Sequence, residues 1–350
     1  MQKIFIYGAY GYTGKLIVQD AVEQGLRPVL GGRNSKKLQE LAQQYSLDFV
    51  AFDVRNKEAW DNQLEPTDVI INCAGPFSET VKYVVPACIR NKTDYLDITG
   101  DVSVFKYVAS LDQQAKEAGV VLLPGVGFDV VPTDCLAAKL KEKMPDGTHL
   151  ELAFQGNSGI SRGTALSWTK RLHEGGMVRE NRQLKEIPLA HESRNIFFGN
   201  KERLCISVSL GDVLTAYHTT GIPNIKVYIG VSKKMLNSIL SFKKLTWVAR
   251  TAVMQWILRS IIKRKVTGPS LEKRKTMLTF IWGRISNGKE ELVMEMQTME
   301  SYQLTSAVAV EGAKRVLGGD VEPGFKTPAI AFGSDFIDQF EKTKITVVNE

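Results

Sequence analysis

Lys3-Ile4-Phe5-Ile6-Tyr7-Gly8-Ala9-Tyr10-Gly11-Tyr12-Thr13-Gly14 joins a short apolar run to three glycines spaced three apart. The next residues, Lys15-Leu16-Ile17-Val18-Gln19-Asp20-Ala21-Val22, carry a helical pattern. Strand, glycine turn and helix in that order are the context a dinucleotide-binding loop requires. Gly8 permits the sharp turn, Gly11 admits a pyrophosphate close to the backbone, and Gly14 lets the helix pack tightly on the sheet. The positive end of the helix and its first N–H groups would then face the phosphates. The bland alternative is a plain strand-turn-helix with chance glycines. The place of the loop, directly behind the first apolar run of the chain, argues against it.

Outward from this loop, the pattern alternates. The runs Lys3–Tyr7, Pro28–Leu30, Asp48–Phe52, Val69–Cys73, Tyr95–Ile98 and Val120–Leu123 have the length of strands buried on both faces. Helical stretches separate them, clearest at Lys36–Gln44, Thr80–Arg90 and Val104–Ala118. Such alternation predicts an α/β fold with a Rossmann-type, doubly wound parallel sheet. Its ligand crevice is expected at the carboxyl ends of the strands, where Gly8–Gly14, Gly31–Ser35, Ala74–Phe77, Thr99–Gly100 and Pro124–Asp129 converge.

Beyond about residue 145 the texture changes. Leu150–Phe154, Leu204–Val208 and Ile225–Val231 read as strands without regular helical crossovers. Thr276–Ile285, the turn pair Asn287-Gly288 and Glu290–Met299 read as a hairpin, because Asn-Gly suits a type I′ turn. A second α+β domain on an antiparallel sheet is therefore expected. Tyr302–Leu317 reads as a helix stopped by Gly318-Gly319. The expected division is 1–134 for the cofactor domain, 135–301 for an α+β substrate or dimerisation domain, and 302–350 for a C-terminal segment returning to the first domain.

The 350 residues have ordinary apolar and charged fractions for a globular protein, 43% and 24%. Cys73, Cys88, Cys135 and Cys205 form no Cys-x-x-Cys pair, and the four histidines are scattered, so neither a disulfide framework nor a metal site is expected. A reduced, cytoplasmic setting follows, and the glycine loop begins too early to leave room for a signal peptide. The net charge of +7 is local: between Lys233 and Lys275, twelve Lys/Arg stand against one acid, Glu272. The rest of the chain is mildly acidic, which speaks against a nucleic-acid-binding protein.

The second strand ends in Leu30-Gly31-Gly32-Arg33-Asn34-Ser35-Lys36-Lys37. An NAD-preferring site places Asp or Glu here to accept from the ribose 2′-hydroxyl. This chain offers Arg33 instead, with no acid, so NADP is expected over NAD and Arg33 is the candidate for the 2′-phosphate. The cofactor-binding set is Gly8, Tyr10, Gly11, Tyr12, Thr13, Gly14, Arg33, Asn34, Ala74, Gly75, Pro76 and Gly125. Catalysis has weaker candidates. Asp129, between a glycine turn and a proline-started helix, is suited to orienting substrate or cofactor. Ser161 either presents a hydroxyl to a carbonyl or merely caps a helix over Thr164–Leu172. Lys170 and His173, on that stretch, are proton donors or ordinary surface. Asp97 and Asp134 read equally well as a buried hydrogen-bonding residue and a first-turn acid. No Ser-His-Asp set or Tyr-x-x-x-Lys pair emerges, so the general acid is unassigned.

Five stretches together carry a resemblance: Gly8-Ala9-Tyr10-Gly11-Tyr12-Thr13-Gly14, Gly31-Gly32-Arg33-Asn34, Asn72-Cys73-Ala74-Gly75-Pro76-Phe77, Tyr95-Leu96-Asp97-Ile98-Thr99-Gly100-Asp101 and Gly127-Phe128-Asp129-Val130-Val131-Pro132-Thr133-Asp134. In this order they resemble the saccharopine dehydrogenase-like oxidoreductases, in the branch that includes trans-acting enoyl reductases of lipid synthesis. The similarity is specific over Met1–Asp134, fainter at Ser158–Trp168 and Val321–Phe336, and slight between Glu180 and Met299. It implies a Rossmann domain with a second α+β domain, NADP(H) binding and hydride transfer. Tyr10 stands where that family usually has Thr, a small departure for phosphate binding.

The expected function is NADP(H)-dependent reduction of an acyl or lipid-like unsaturated small molecule. Two alternatives stay open. One is an amino- or imino-acid dehydrogenase, with Arg162, Lys170 or Arg171 to clamp a carboxylate. The other is a non-catalytic, NADP-sensing or membrane-associated scaffold. Leu236–Ile262 mixes Trp247, Trp256 and aliphatics with lysines and arginines, and its longest uncharged run, Thr251–Leu258, is too short to span a bilayer. As a helix it would be basic and amphipathic, so 236–265 is either a peripheral membrane contact or a surface packed on its own domain or on a second subunit. A homodimer is the base-rate expectation.

Overall fold

β1 (Ile4–Tyr7) is buried at all four residues and lies between two parallel neighbours, which explains why it is apolar throughout. The computed structural model describes residues 3–155, 161, 175–188, 190–199, 201–233, 235–237, 268 and 270–348. After β1 come α1 (Tyr12–Glu23), β2 (Val29–Gly32), α2 (Ser35–Tyr45), β3 (Phe49–Ala51), α3 (Lys57–Leu64), β4 (Val69–Asn72) and α4 (Phe77–Asn91). β5 (Asp94–Asp97), α5 (Val102–Ala109), α6 (Asp112–Ala118) and β6 (Val121–Leu123) complete the alternation. The strand order β6-β5-β4-β1-β2-β3, parallel at every pairing, is that of a Rossmann sheet. The order reverses between β1 and β4, so the loops after those strands flank the topological switch point.

Beneath the sheet, Trp60 of α3 meets the rings of Tyr7 at 4.7 Å and Phe52 at 4.8 Å, and its indole N–H donates to the Val54 carbonyl. Gly31 is needed here, since a Cβ would lie 2.3 Å from the Phe5 ring. The helix expected over Val104–Ala118 is in fact two. α5 ends at Ala109, and α6 starts afresh at Asp112, whose carboxylate accepts from the Phe325 backbone N–H. That contact lies more than two hundred residues away in sequence, so periodicity alone could not show the break.

α7 (Val131–Lys143) leads into β7 (His149–Gln155), followed by the hairpin β8 (Gly176–Glu180) and β9 (Gln183–Ile187). β10 (Ser193–Phe198), β11 (Lys201–Ser207), α8 (Asp212–Thr220), β12 (Asn224–Gly230), α9 (Leu271–Thr276), β13 (Leu278–Ser286) and β14 (Glu291–Met299) follow. The sheet runs β10-β11-β12-β7-β13-β14. It is not purely antiparallel as expected: β7 and β12 pair in parallel at its centre, with Leu152 opposite Val227. The β13–β14 hairpin turns at Asn287-Gly288, with Gly288 at φ +90°. On one face of the sheet Ile196, Phe198, Tyr228 and Trp282 share a small core. On the other, Gly283 makes room for Leu140 and Leu136 of α7.

α10 (Ser301–Leu317), β15 (Gly324–Phe325), α11 (Pro328–Phe332) and β16 (Lys344–Val348) end the chain. β15 adds a seventh strand to the Rossmann sheet beside β6, and β16 pairs with β14. The chain forms two compact units, Met1–Val131 with Tyr302–Phe336, and Pro132–Ser301 with Ile337–Glu350. Among the described residues, no helix is long and apolar enough to cross a membrane. The expected basic amphipathic helix at Leu236–Ile262 lies outside the described residues except at its first two positions.

Candidate cofactor site

The glycine loop leaves β1 through Gly8, whose φ is +86° and whose N–H donates to the Gly31 carbonyl at 2.9 Å. A Cβ on Gly8 would stand 2.7 Å from backbone atoms of Cys73 and Ala74, so the loop after β1 touches the loop after β4. On Gly14 it would stand 2.5 Å from the Gly8 carbonyl oxygen, which accounts for the close packing of α1. Gly11 is different. It N-caps α1 with no side chain of its own, and a Cβ there would meet only the Gly8 carbonyl oxygen, at 3.1 Å. The open side of Gly11 and the uncapped start of α1 suit an anion approaching along the helix axis. No acid occupies the first turn of α1 to compete for that place.

Tyr10 folds outward over Gly32, where a Cβ would come within 2.6 Å of its ring, and the Lys37 ammonium lies 5.8 Å from the ring centroid. Tyr12 sets its ring edge-on to Tyr302 of α10 at 4.9 Å. Thr13 lies in the first turn of α1. After β2, Arg33 is exposed, while Asn34 N-caps α2 by accepting from the Lys37 N–H at 3.0 Å. The Asn34 side-chain oxygen is therefore engaged in its own helix, and Arg33 is exposed, as are Lys36 and Lys37 after it. The Arg33 charge also acts on Asp53 behind β3. Asp53 is held down to about 2 chiefly by hydrogen bonds from Arg55, which pairs with it at 2.8 Å.

At the end of β4, the Ala74 N–H donates to Asn72, and Thr80 of α4 donates to the Ala74 carbonyl oxygen at 2.9 Å. The Gly75–Pro76 peptide is cis, and Pro76 begins α4. Burial beside Asp97 pushes the Cys73 thiol above its ordinary range. Behind β6, Gly125 turns at φ +80° under the Phe105 ring, and its N–H donates to Asp97 at 2.9 Å. Burial pushes the Asp97 carboxyl up to about 6, against the hydrogen bonds it accepts. Asp129 is half-buried, and a Cβ added to Gly100 would come within 2.7 Å of its carboxylate. The Phe128 N–H donates to the Thr305 hydroxyl of α10 at 3.0 Å, a contact across 177 residues that no local pattern announces.

Thus the first unit brings Gly8–Gly14, Arg33, Ala74–Pro76, Gly125 and Asp129 to the carboxyl ends of β1, β2, β4 and β6. Ser161 is buried in the second unit. Lys170 and His173 lie outside the described residues. Asp134 is fully buried in α7 and accepts from the Thr219 hydroxyl, a packing role. Asn72 and Tyr95, which the sequence left unremarked as site residues, are buried links between these loops.

Residues 4–123 match the family described as the saccharopine dehydrogenase NADP binding domain. A "Saccharopine dehydrogenase-like oxidoreductase" of Rattus norvegicus is 26% identical over 216 residues, covering 53% of this chain and 50% of that protein. A "Lipid droplet localized protein" of Caenorhabditis elegans is 29% identical over 176 residues, covering 45% and 41%. A "Trans-acting enoyl reductase" of Mycobacterium tuberculosis is 24% identical over 200 residues, covering 53% and 48%. The chain spans about half the length of the curated relatives it matches. Among solved structures, apo saccharopine dehydrogenase (L-Glu forming) from Saccharomyces cerevisiae superposes over 100% of both chains with a TM-score of 0.67 at 14% identity, a likeness of fold.

Proposed function

We propose that the chain, whose residues 4–123 match the saccharopine dehydrogenase NADP binding domain, is an NADP(H)-dependent oxidoreductase reducing an acyl or lipid-like unsaturated substrate. The observation that carries the reading is the open backbone at Gly11 before an uncapped helix, on the loop after β1, a strand that lies between β4, which leads to Ala74, and β2, which leads to Arg33. In this reading the pyrophosphate lies on the start of α1, Arg33 pairs with the 2′-phosphate, and the nicotinamide end rests on Ala74–Pro76 and Gly125–Asp129. Bound NADPH would supply a hydride to one carbon of a polarised double bond, and a proton would complete the other. Asp129 would orient the bound ligand, and its confinement against Gly100 supports that role. The acyl substrate class is favoured by the relative named as a trans-acting enoyl reductase, and a lipid setting by the one named for lipid droplets. A cytoplasmic protein that touches membranes peripherally through 236–265, and a homodimer, complete the proposal.

Titration of the purified chain with NADPH and NADH, read by nicotinamide fluorescence, tests the reading. NADPH is expected to bind more tightly than NADH, and Arg33→Ala to weaken NADPH about tenfold or more while leaving NADH unchanged, as a charge-assisted phosphate contact requires. Equal affinities that Arg33→Ala does not move would refute the assignment. Oxidation of bound NADPH by an added enoyl thioester, absent with saturated thioesters, tests the substrate class.

A further inference from the structure

The parallel register of β4 and β5 places Asn72 opposite Asp97 at the two strand ends. Tyr95, two residues before Asp97 and so on the same face of β5, reaches between them. The Asn72 side-chain amide donates to the Tyr95 hydroxyl at 3.2 Å, and that hydroxyl donates to Asp97 Oδ2 at 2.7 Å. Asn72 Oδ1 accepts from the Ala74 N–H at 3.1 Å, and Asp97 Oδ1 accepts from the N–H groups of Gly125 and Thr99, each at 2.9 Å. The Val126 N–H adds a bond to the Asp97 backbone carbonyl at 2.7 Å. All three side chains are fully buried. A continuous chain of hydrogen bonds thus runs from the loop after β4, through the ends of two strands, to the loop after β6.

Buried polar groups need partners, but these partners need not have been the two loops that bracket one crevice. We propose that Asn72, Tyr95 and Asp97 form a positioning relay that holds the 73–76 and 124–127 loops in register with each other, and so shapes the floor under the nicotinamide half of the cofactor. The proposal rests on the reading of this crevice as an NADP(H) site. The three are positioning residues: they act on the ligand through the backbone of Ala74 and Gly125. In a low-dielectric interior, the tyrosine hydroxyl acts as donor and acceptor at once, so removing it cuts the relay at its middle without changing the packing volume.

The decisive comparison is NADPH against adenosine 2′,5′-bisphosphate, which carries the adenosine and 2′-phosphate but no nicotinamide. Both are titrated into the wild type and Tyr95→Phe, and thermal unfolding is recorded in parallel. Tyr95→Phe is expected to weaken NADPH about tenfold while leaving the bisphosphate unchanged, the size of one lost buried hydrogen bond acting on only one half of the cofactor. A fall in melting temperature with both affinities unchanged, or with both reduced equally, would show a merely structural network and overturn the relay. If Tyr95→Phe does not fold, Asp97→Asn, which keeps the side-chain shape, is judged by the same two outcomes. A wild type that binds neither ligand overturns the cofactor reading, and with it the relay. A wild type that binds both isolates the relay as the idea under test.

Discussion

Gly8 and Gly11 look alike in sequence and differ in what surrounds them. Gly8 holds a positive φ with backbone of Cys73 and Ala74 2.7 Å from any added Cβ, and backbone cannot step aside as a flexible side chain can. Gly11 has a φ of −66° that alanine adopts freely, and a Cβ there would meet one carbonyl oxygen. Gly8→Ala is therefore expected to cost more than about 1 kcal/mol of stability, the penalty for a side chain forced into a positive φ, before any effect on ligand. Gly11→Ala is expected to unfold in urea within about 0.5 kcal/mol of the wild type and yet to lose NADPH affinity. Denaturation and fluorescence titration of the two variants, side by side, separate the glycine that makes the turn from the one that makes room.

At the scale of elements, β5 carries two carboxylates whose protonation is coupled to folding. Burial pushes both Asp94 and Asp97 up to about 6, although Asp94 accepts from the Val121 N–H and Asp97 from three donors. The folded chain therefore binds more protons than the unfolded one between about pH 4 and pH 6, so these two groups lower stability as pH rises through that window. Asp53 and Asp61 work in the opposite direction. Hydrogen bonds from Arg55 lower the first, and bonds from Lys57, Arg90 and Asn91 lower the second, so their contribution is lost as pH falls below about 4. Asp94→Asn keeps an acceptor for the Val121 N–H while removing one titration. Urea midpoints measured from pH 3 to 7 should show a shallower decline between pH 4 and 6 in this variant, with the acid limb unchanged.

At the scale of the molecule, the Rossmann unit is not continuous in sequence. α10 buries Leu304, Val308, Ala309, Val310 and Ala313, β15 extends the sheet beside β6, and Thr305 holds the Phe128 backbone. Residues 1–131 alone would leave that apolar face uncovered. A chain of 1–131 joined by a flexible linker to 302–336 is expected to melt cooperatively by circular dichroism, whereas 1–131 alone is expected to melt at much lower temperature or not to fold. Equal melting of the two would show that the return segment contributes nothing to the unit.

The alternation of buried strands with helices and the glycine spacing were legible because they are local: period and turn chemistry are written within a dozen residues. The Asn287-Gly288 hairpin was legible for the same reason. The break between α5 and α6 was not, because Asp112 answers to Phe325. The parallel pairing of β7 with β12 was not, because a strand carries no local mark of its neighbour's direction. The relay from Asn72 to Asp97 needed the register of two strands, which follows from how the whole sheet packs. Sequence alone thus determined the kind of domain and its glycine turn, through short-range sterics. Which loops are tied together, and which distant segment completes the unit, only the tertiary structure decided, because those contacts form between residues brought near by burial of the common core.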